Sequence, residues 1–564
     1  MEEIKGAVKA AVKDLFNVDV EPELTRSDEQ FGDYATNIAL QLAGKLDNPP
    51  AGGPRGIAEA LAKEIKSTKI EKVETAGPGF LNITLSDKAL VSALNDKVSQ
   101  PYKGKVVVTE YSDPNPFKVL HAGHLYTSVV GDAISNLLEA AGADVHRVNF
   151  GGDVGMHVGK TMWAILKELG GENPDKLQEI DKEERSEWLA KCYVEGTNAY
   201  EDDEQAKKEI ISLNKRVYQI VTDNDRTSPF GQIYWKTRQW SYDYFDSFYA
   251  RIGSKFERYY PESEVSELGL KTVEEQLKKG VFEKSDGAII FDGDKYDLHT
   301  RVFINSDGIP TYEAKDVGLI LTKKKDYNFD LSVVITGNEQ EQYMNVVLKA
   351  VEQFAPELAK ATRHLPHGIV KLQGGVKMSS RKGNILRAVD VLEAANEANK
   401  AENDQENEET VLAAVKYSFL KQRIGADIIY DPKESVSILG NSGPYLQYAH
   451  ARARSILRKS KVENLPTGQA GQKLKVVEFE AGERSLIRKI GEYPEAVGKA
   501  VSDLMPHHIC TYLYELAQVF NRFYEQNRVI DSPREAVRLQ LVQSYADTLK
   551  NGLELLNIPA PEKM

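Results

Sequence analysis

Two histidines, His121 and His124, stand at the start of a predicted helix, directly after a predicted strand. Residues three apart on a helix share one face, so both imidazoles would point into the same space. The helix N-terminus adds free backbone N–H groups and positive partial charge, which bind phosphate. Gly123 between them leaves room for a flat base against the backbone. The segment fits a triphosphate, but taken alone it also fits a surface pair or an incomplete metal site.

A second candidate is the stretch at residues 371–387, KLQGGVKMSSRKGNILR, which contains five cations and no acid. Its glycines predict a mobile loop at residues 374–384, and Ser379 and Ser380 add hydroxyl donors. Such a loop can close over phosphates, where each well-aimed donor is worth ~3 kcal/mol in the transition state. In isolation the same composition fits a solvated basic hairpin.

The elements around these two segments predict a parallel sheet. From Lys105 onward, short β-branched strands alternate with long helices, and strand patterns recur at GAIIFD, RVFINSDG, LSVVIT and HGIVKL. A helical, aromatic stretch at about residues 160–256 reads as an insertion. We expect an N-terminal unit over residues 1–102, with a helix from Tyr34, then an α/β unit over 103–405 and an all-helical unit over 406–564.

Composition excludes several classes of protein. The chain has 564 residues, 41% hydrophobic and 28% charged, with a net charge of −13 and no apolar run long enough to cross a bilayer. Its only cysteines, Cys192 and Cys510, cannot form a disulfide framework, and its ten histidines lack zinc spacing. We therefore expect no metal site of its own, no membrane, a reducing cytoplasmic location, and local basic patches for any polyanionic partner.

Together the motifs resemble those of a known family. Residues 110–124, EYSDPNPFKVLHAGH, and KMSSR at 377–381 resemble the two signatures of class I aminoacyl-tRNA synthetases, the first in its arginyl-tRNA synthetase form. Further similar segments are FGDYATNIALQLA, AGPGFLNITL, SDGIPTYEAKDVG, GPYLQYAHARARSIL and LLNIPAPEKM. The resemblance implies a Rossmann-like α/β catalytic domain with a helical insertion, an α+β domain for the tRNA elbow and an all-α anticodon-binding domain.

The resemblance also implies a reaction and its participants. ATP, accompanied by Mg²⁺, would activate L-arginine to an adenylate, and tRNA(Arg) would then receive the arginine. The enzyme would be a monomer in the cytoplasm. The implied ATP-binding residues are His121, Gly123, His124, Lys377, Met378 and Ser379.

The family pattern of the basic loop has a second lysine where this sequence has Ser380. A cation from elsewhere would then have to stabilise the leaving pyrophosphate. Lys118, three residues before the first histidine, matches a lysine found in many arginyl enzymes, and Arg381 and Lys382 are alternatives. The expected catalytic set is His121, His124, Lys118 and Lys377.

Specificity for arginine requires carboxylate partners for its planar guanidinium. The resemblance implies that Tyr312 and Asp316 line this pocket. They are four apart on a predicted helix and would share one face, although a capped or solvated helix face would look the same. A lysine side chain would leave part of this acceptor set unpaired. By resemblance the arginine-binding residues are Glu110, Asn115, Tyr312, Asp316 and Gln340.

A basic segment near the end of the chain fits RNA. Arg452 begins a run of cations and follows Tyr445 and Tyr448, and rings beside cations suit single-stranded bases. Both tyrosines could equally be packed inside a helix bundle. By resemblance, Tyr34 and Asn37 match a region that contacts the tRNA elbow.

Three alternatives remain open from the sequence. Another class I synthetase, such as a cysteinyl enzyme, would ordinarily need zinc-binding cysteines. A nucleotidylyltransferase would share the histidine motif but would have no use for the basic, aromatic helical region. A non-catalytic tRNA-binding relative would have no need to retain the histidines, Lys377 and the acidic pocket residues.

Overall fold

The computed structural model describes residues 1–46, 50–373, 386–404, 406–460 and 478–564. The N-terminal part combines helices with an antiparallel sheet of order β1-β2-β4-β3. The sequence predicts a helix from Tyr34, but Tyr34–Thr36 is a strand whose Tyr34 pairs with Ile83, and the helix begins at Ile38. The elements are α1 (Glu2–Phe16), β1 (Thr25–Arg26), β2 (Tyr34–Thr36), α2 (Ile38–Ala43), α3 (Gly53–Glu64), β3 (Ile70–Ala76), β4 (Phe80–Leu85) and α4 (Asp87–Ala93).

The central part alternates strands and helices. Its elements in chain order are β5 (Val106–Glu110), α5 (Ala122–Ala140), β6 (Asp144–Gly151), α6 (Met156–Glu168), α7 (Arg185–Asp202), α8 (Glu204–Asp223), α9 (Pro229–Ile252), β7 (Arg258–Pro261), α10 (Glu262–Lys278), β8 (Glu283–Ser285), β9 (Ala288–Phe291), β10 (Arg301–Ile304), α11 (Tyr312–Tyr327), β11 (Leu331–Gly337), α12 (Glu341–Glu352), α13 (Pro356–Ala361), β12 (Thr362–His367), β13 (Val370–Leu372) and α14 (Ala388–Asn403).

Five of these strands form a parallel sheet in the order β12-β11-β5-β6-β7. Its central strands are buried apolar runs, as expected when helices cover both faces of a parallel sheet. This sheet confirms the predicted α/β fold class.

Three predicted strands lie elsewhere. GAIIFD and RVFINSDG contribute β9 and β10 to a separate antiparallel sheet of order β10-β9-β8. The strand of HGIVKL, β13, pairs with β14 (Ile428–Tyr430) near the helical part. The edge strand of the parallel sheet is instead β12, whose sequence TRHLPH lacks an apolar run. A strand at the edge needs less apolar surface, which explains why the pattern did not reveal it.

The stretch predicted as an insertion is helical and separates two neighbouring strands of the sheet, β6 and β7. Helices α6 to α9 pack around their own hydrophobic core, which includes Met162, Ile210 and Tyr234. Phe117 from the turn after β5 is buried in that core, with its ring 5.8 Å from Tyr234. The insertion is therefore in direct contact with the chain that leads to His121.

The last part is mostly helical, with elements α15 (Glu408–Leu420), β14 (Ile428–Tyr430), α16 (Pro432–Ser435), α17 (Gly443–Lys459), α18 (Ala481–Gly491), α19 (Tyr493–Asp503), α20 (His507–Gln526) and α21 (Glu535–Leu555). The predicted all-helical fold class of this part is confirmed, and the bounds of the unit stay a prediction; one short strand that the sequence did not indicate, β14, pairs in parallel with β13. A strand of three residues is too short to produce a recognisable alternation. Within the described ranges, we find no helix with the length and apolarity that a membrane span needs.

Candidate functional site

The candidate site lies where β5 and β11, neighbours in the parallel sheet, reach their carboxyl ends. Val334 of β11 pairs with Glu110, the last residue of β5, and each strand then leads into a segment with predicted site residues. Ligands of open parallel sheets bind beyond the carboxyl ends of the strands. The sheet therefore brings the two segments together although they are far apart in the sequence.

His121 and His124 cap the N-terminus of α5 reciprocally. Nδ1 of His121 accepts a hydrogen bond from the backbone N–H of Gly123 at 3.1 Å, and Nδ1 of His124 accepts from the backbone N–H of His121 at 3.0 Å. The two rings stack with their centroids 3.7 Å apart. This is the geometry of a capping box built from histidines.

The capping bonds fix the protonation of both rings. Burial lowers the pKa of His121 and, more strongly, that of His124, and the ammonium group of Lys118 lowers both further. A neutral imidazole carries one N–H, and because each Nδ1 accepts a bond, the proton lies on Nε2. The pair thus offers two Nε2–H donors to a ligand without carrying charge.

The structure gives Gly123 a different role from the predicted one. A Cβ at this position would lie 2.9 Å from Nδ1 and Cε1 of the His121 ring. Glycine is required here so that the His121 imidazole can fold back and cap the helix. Room for a base against the backbone stays a prediction.

The chain on the far side of the basic loop pairs with this helix tip. The backbone N–H of Ala122 donates to the carbonyl of Leu386 at 2.7 Å, and the N–H of Ala388 donates to that of Leu120 at 2.9 Å. Lys377, Met378 and Ser379 lie outside the described residues. The contacts bring residue 386, the first described residue after them, next to the histidine motif.

The turn between β5 and α5, residues 111–118, has an unusual backbone. Ser112, Asp113 and Phe117 have φ values of 72°, 50° and 68°, which costs non-glycine residues of order 1–3 kcal/mol each. Asn115 lies in the same turn, where its Oδ1 accepts from the backbone N–H of Gly152 at 2.7 Å. We call these residues the substrate turn, because they carry Asn115 and Lys118, two of the predicted site residues.

Asp316 on α11 lies in an acidic part of the site, near the carboxylates of Glu110 and Glu262. Burial raises its pKa to about 7, and the nearby carboxylates of Glu110 and Glu262 contribute to the rise. The hydroxyl of Tyr343 donates to Oδ2 of Asp316. Burial and Glu110 also raise the pKa of Asp113 well above its usual value. The pocket thus gathers more acidic groups than cations, which suits a positively charged ligand.

Two buried lysines neutralise part of this acidity. Lys323 donates to Oε2 of Glu110 and, at 3.1 Å, to Ser332 Oγ, and its side chain is fully buried. Lys315 donates to Oε2 of Glu262 at 2.6 Å. One oxygen of Glu110 is therefore committed to Lys323, and a direct contact of Glu110 with a substrate stays a prediction.

The remaining predicted arginine-binding residues differ in exposure. Tyr312 is 57% exposed at the start of α11, with its ring 5.2 Å from the Lys315 ammonium. Gln340 is exposed just beyond β11. Both can be reached by a ligand above the strand ends.

Sequence reasoning missed Glu262, Lys323 and Tyr343. Each is a single charged or aromatic residue in a helix and belongs to no motif. Its hydrogen-bond partner lies 27 to 213 residues away in the sequence. No local spacing indicates such pairs.

A second surface lies on the helices near the end of the chain. The Arg452 guanidinium lies 5.5 Å from the ring of Tyr448 and 5.5 Å from that of Tyr524. Tyr448 and Tyr524 are about 40% exposed, whereas Tyr445 is half-buried and its hydroxyl accepts from Asn521. The patch made by Tyr448, Arg452 and Tyr524 is therefore open to stacking.

Other cations of α17, and the residues predicted to contact the tRNA elbow, have partners within the protein. Arg454 and Arg458 both bind Glu562, the former at 2.7 Å from its carboxylate. Tyr34 is 2% exposed and donates to Glu495 of α19 at 2.6 Å, and its contact with RNA stays a prediction. This hydrogen bond joins the N-terminal part to helix α19. Asn37 accepts from Gln41 and is half-buried, and its RNA contact stays a prediction.

Comparison with known families covers nearly the whole chain. Residues 86–432 match the family model described as tRNA synthetases class I (R), catalytic domain. Residues 446–564 match the DALR anticodon binding domain, and residues 2–85 match the arginyl tRNA synthetase N terminal domain.

Individual relatives are similar to this chain over most of its length. The chain is 30% identical over 612 residues to the arginine–tRNA ligase of Flavobacterium psychrophilum, covering 100% of this chain and 99% of that one. It is 32% identical over 542 residues to the arginine–tRNA ligase of Borreliella burgdorferi, covering 90% and 89%. Its structure is similar to that of Thermus thermophilus arginyl-tRNA synthetase, with a TM-score of 0.81, 25% identity and 100% of both chains covered.

Proposed function

This chain belongs to the arginyl-tRNA synthetase family of class I synthetases, and from that premise we propose how its residues divide the work of an arginine–tRNA ligase. The arginine carboxylate attacks the α-phosphate of ATP, which releases pyrophosphate and forms arginyl-adenylate. The 3′ end of tRNA(Arg) then takes the arginyl group and AMP leaves. A carboxylate is already ionised at neutral pH, so the enzyme must mainly orient the reactants and stabilise charge.

The phosphates of ATP lie at the tip of α5 in this proposal. The Nε2–H groups of His121 and His124 donate to phosphate oxygens, where charge builds up as pyrophosphate leaves. Lys118 supplies a cation beside them, together with Lys377 from the loop. Gly123, Met378 and Ser379 complete the contacts with ATP, and Mg²⁺ arrives bound to its phosphates.

Arginine lies at the acidic end. Asp316 pairs with the guanidinium, Tyr312 covers it, and Glu110 offers the carboxylate oxygen that is not committed to Lys323. The amide of Asn115 uses its oxygen to accept from Gly152, which leaves its NH₂ group to donate to the arginine carboxylate. Gln340 contacts the same end of the substrate. A lysine side chain could not pair with Asp316 in the bidentate manner of a guanidinium.

One observation supports this function above the others. The helix tip, with its uncharged donors, lies next to the acidic pocket, whose acidic groups outnumber its cations. The two meet at neighbouring strand ends. This arrangement suits arginyl-adenylate, which carries both a phosphate and a guanidinium. The test is aminoacylation of total tRNA with each of the twenty amino acids. We expect charging with arginine alone, and charging with another amino acid, or none, would overturn the proposal.

The rest of the chain binds tRNA. We assign residues 1–102 to the elbow, 103–405 to catalysis and 406–564 to the anticodon, where Tyr445, Tyr448 and Arg452 meet unpaired bases. Stacking on an aromatic ring is worth ~1–3 kcal/mol per base. Tyr448→Ala should therefore weaken tRNA(Arg) binding by roughly 5- to 150-fold in a filter-binding titration, with Tyr312→Ala as a control that leaves this affinity unchanged.

Membership in the family suggests three further properties. The enzyme acts as a monomer, which sedimentation at working concentration would test. It works in the cytoplasm, where tRNA is charged for translation. It also activates arginine efficiently only with tRNA bound, and equally fast pyrophosphate exchange without tRNA would contradict this.

A further inference from the structure

A buried polar network links the end of the chain to the substrate turn. Its centre is Asp132 on α5, which is 4% exposed and takes no part in the proposed reaction. Oδ1 of Asp132 accepts from the hydroxyl of Tyr111 at 2.7 Å. Oδ2 accepts from Ser254 Oγ and, at 3.0 Å, from Nδ2 of Asn557. One carboxylate thus joins the first residue of the substrate turn to a residue near the end of the chain.

Asn557 is held firmly on its other sides. Its Nδ2 also donates to the carbonyl of Gly253 at 3.2 Å. Its backbone carbonyl accepts from the ammonium of Lys416, a buried lysine of α15, at 2.6 Å. With φ at 54°, Asn557 has the left-handed backbone that asparagine tolerates better than most residues. Residue type and backbone therefore both favour asparagine at this junction.

The residues that follow Asn557 lie along α17. The carbonyl of Pro559 accepts from Gln447 at 2.9 Å, that of Pro561 accepts from His450 at 2.9 Å, and Glu562 binds Arg454 and Arg458. Arg452, on the same helix, belongs to the aromatic patch. The segment 557–562 thus runs from the helix of that patch to Asp132.

The substrate turn needs such support because its backbone is strained. Three non-glycine residues with positive φ persist only where surrounding contacts determine them. Ser112 bonds to Tyr249 at 2.7 Å, and the N–H of Phe117 donates to Ser241 Oγ at 2.9 Å, both on α9. At the start of the turn, the fully buried side chain of Tyr111 is anchored by Asp132.

We propose that Asn557 is a positioning residue for arginine activation: through Asp132 and Tyr111 it holds the substrate turn in the conformation that presents Asn115 to arginine. This inference rests on the proposed function of the turn. Without the Asn557 amide, Asp132 loses one of its donors and can turn away from Tyr111, which releases the start of the turn. The loss weakens the binding of arginine and leaves the patch of Tyr448, Arg452 and Tyr524 unchanged.

The test uses the full-length enzyme with saturating tRNA(Arg) and compares Asn557→Ala with Tyr111→Phe, which removes only the hydroxyl. We expect each to raise the arginine KM on the order of tenfold, because a hydrogen bond to a charged group is lost. Since both substitutions act through Asp132, the arginine KM of the double variant should be no higher than that of the more impaired single variant. The tRNA dissociation constant should stay unchanged.

Glu562→Ala is the matched control, because it removes the carboxylate that binds Arg454 and leaves Asn557 on Asp132, while Arg458 keeps its bond to the backbone carbonyl of residue 562. We expect a wild-type arginine KM for it. Wild-type values for both Asn557→Ala and Tyr111→Phe, or effects that multiply in the double variant, would overturn the inference. If Asn557→Ala does not fold, a wild-type arginine KM in Tyr111→Phe alone overturns it. A wild-type enzyme that fails to charge tRNA with arginine would instead refute the proposed function.

Discussion

The two ends of the proposed active site are built in opposite ways. The phosphate end consists of His121, Gly123 and His124, which cap a helix by bonds within four residues of chain. The arginine end consists of carboxylates on different elements, and the partner of Glu110 is 213 residues away. The capping histidines of the first end are uncharged and locally determined, whereas the second end consists of charged groups that depend on packing. We therefore expect the arginine end to be more sensitive to substitution and to pH.

The largest effect is expected at the arginine end. Asp316→Ala should raise the arginine KM by roughly 30- to 5000-fold, since an unpaired charge costs ~2–5 kcal/mol. The KM for ATP should change little. Asp326→Ala serves as the control, because the carboxylate of Asp326 lies on the same helix but binds Arg258. An unchanged arginine KM in Asp316→Ala would remove this residue from the pocket.

At the phosphate end, His124→Ala should slow adenylate formation by ~100-fold, the usual loss when a donor to developing charge is removed. The arginine KM should stay within a small factor of wild type. His124→Asn keeps a side-chain donor and acceptor and should recover part of the rate. The measurement is pyrophosphate exchange with tRNA present, with His508→Ala on α20 as control. If His124→Ala instead acted only through the arginine KM, the separation of the two ends would be wrong.

The two ends should also differ in their dependence on pH. Because the pKa of Asp316 is raised to about 7, its carboxyl group is increasingly protonated below that pH and cannot pair with a guanidinium, which stays charged. Apparent kcat/KM for arginine should fall up to about tenfold per pH unit below 7 and level off above it. Asp316→Asn should abolish this dependence. The histidines have lowered pKa values and add no loss on the acid side until lower pH.

A smaller effect is expected for Lys118, whose charge supports the phosphate end. Lys118→Ala should slow adenylate formation on the order of tenfold and leave tRNA affinity unchanged, and Lys118→Arg should retain most of the rate. Single-turnover formation of adenylate measures this directly. A silent Lys118→Ala together with an impaired Lys382→Ala would assign the cation to the loop.

Motifs that are local in sequence were predicted well. The histidine pair, the parallel sheet and the helical insertion follow from spacing and periodicity within a few dozen residues. The RNA contacts of the α17 tyrosines and of Tyr34 stay predictions, and Tyr448 lies on an exposed patch. The hydrogen bond from Tyr34 to Glu495 was not predicted, because the sequence gives no sign that a distant helix would accept its hydroxyl.

The amino-acid sequence by itself determined the family, and it predicted the histidine motif at the tip of α5 and the residue types of the proposed arginine pocket. Only the tertiary structure decided that Lys323 neutralises Glu110, that both imidazoles carry their proton on Nε2, and that Asn557 reaches Asp132. The physical reason is that capping and periodicity act between neighbours in the chain. A buried charge or amide must instead find its partner wherever packing brings one, and that depends on every element at once.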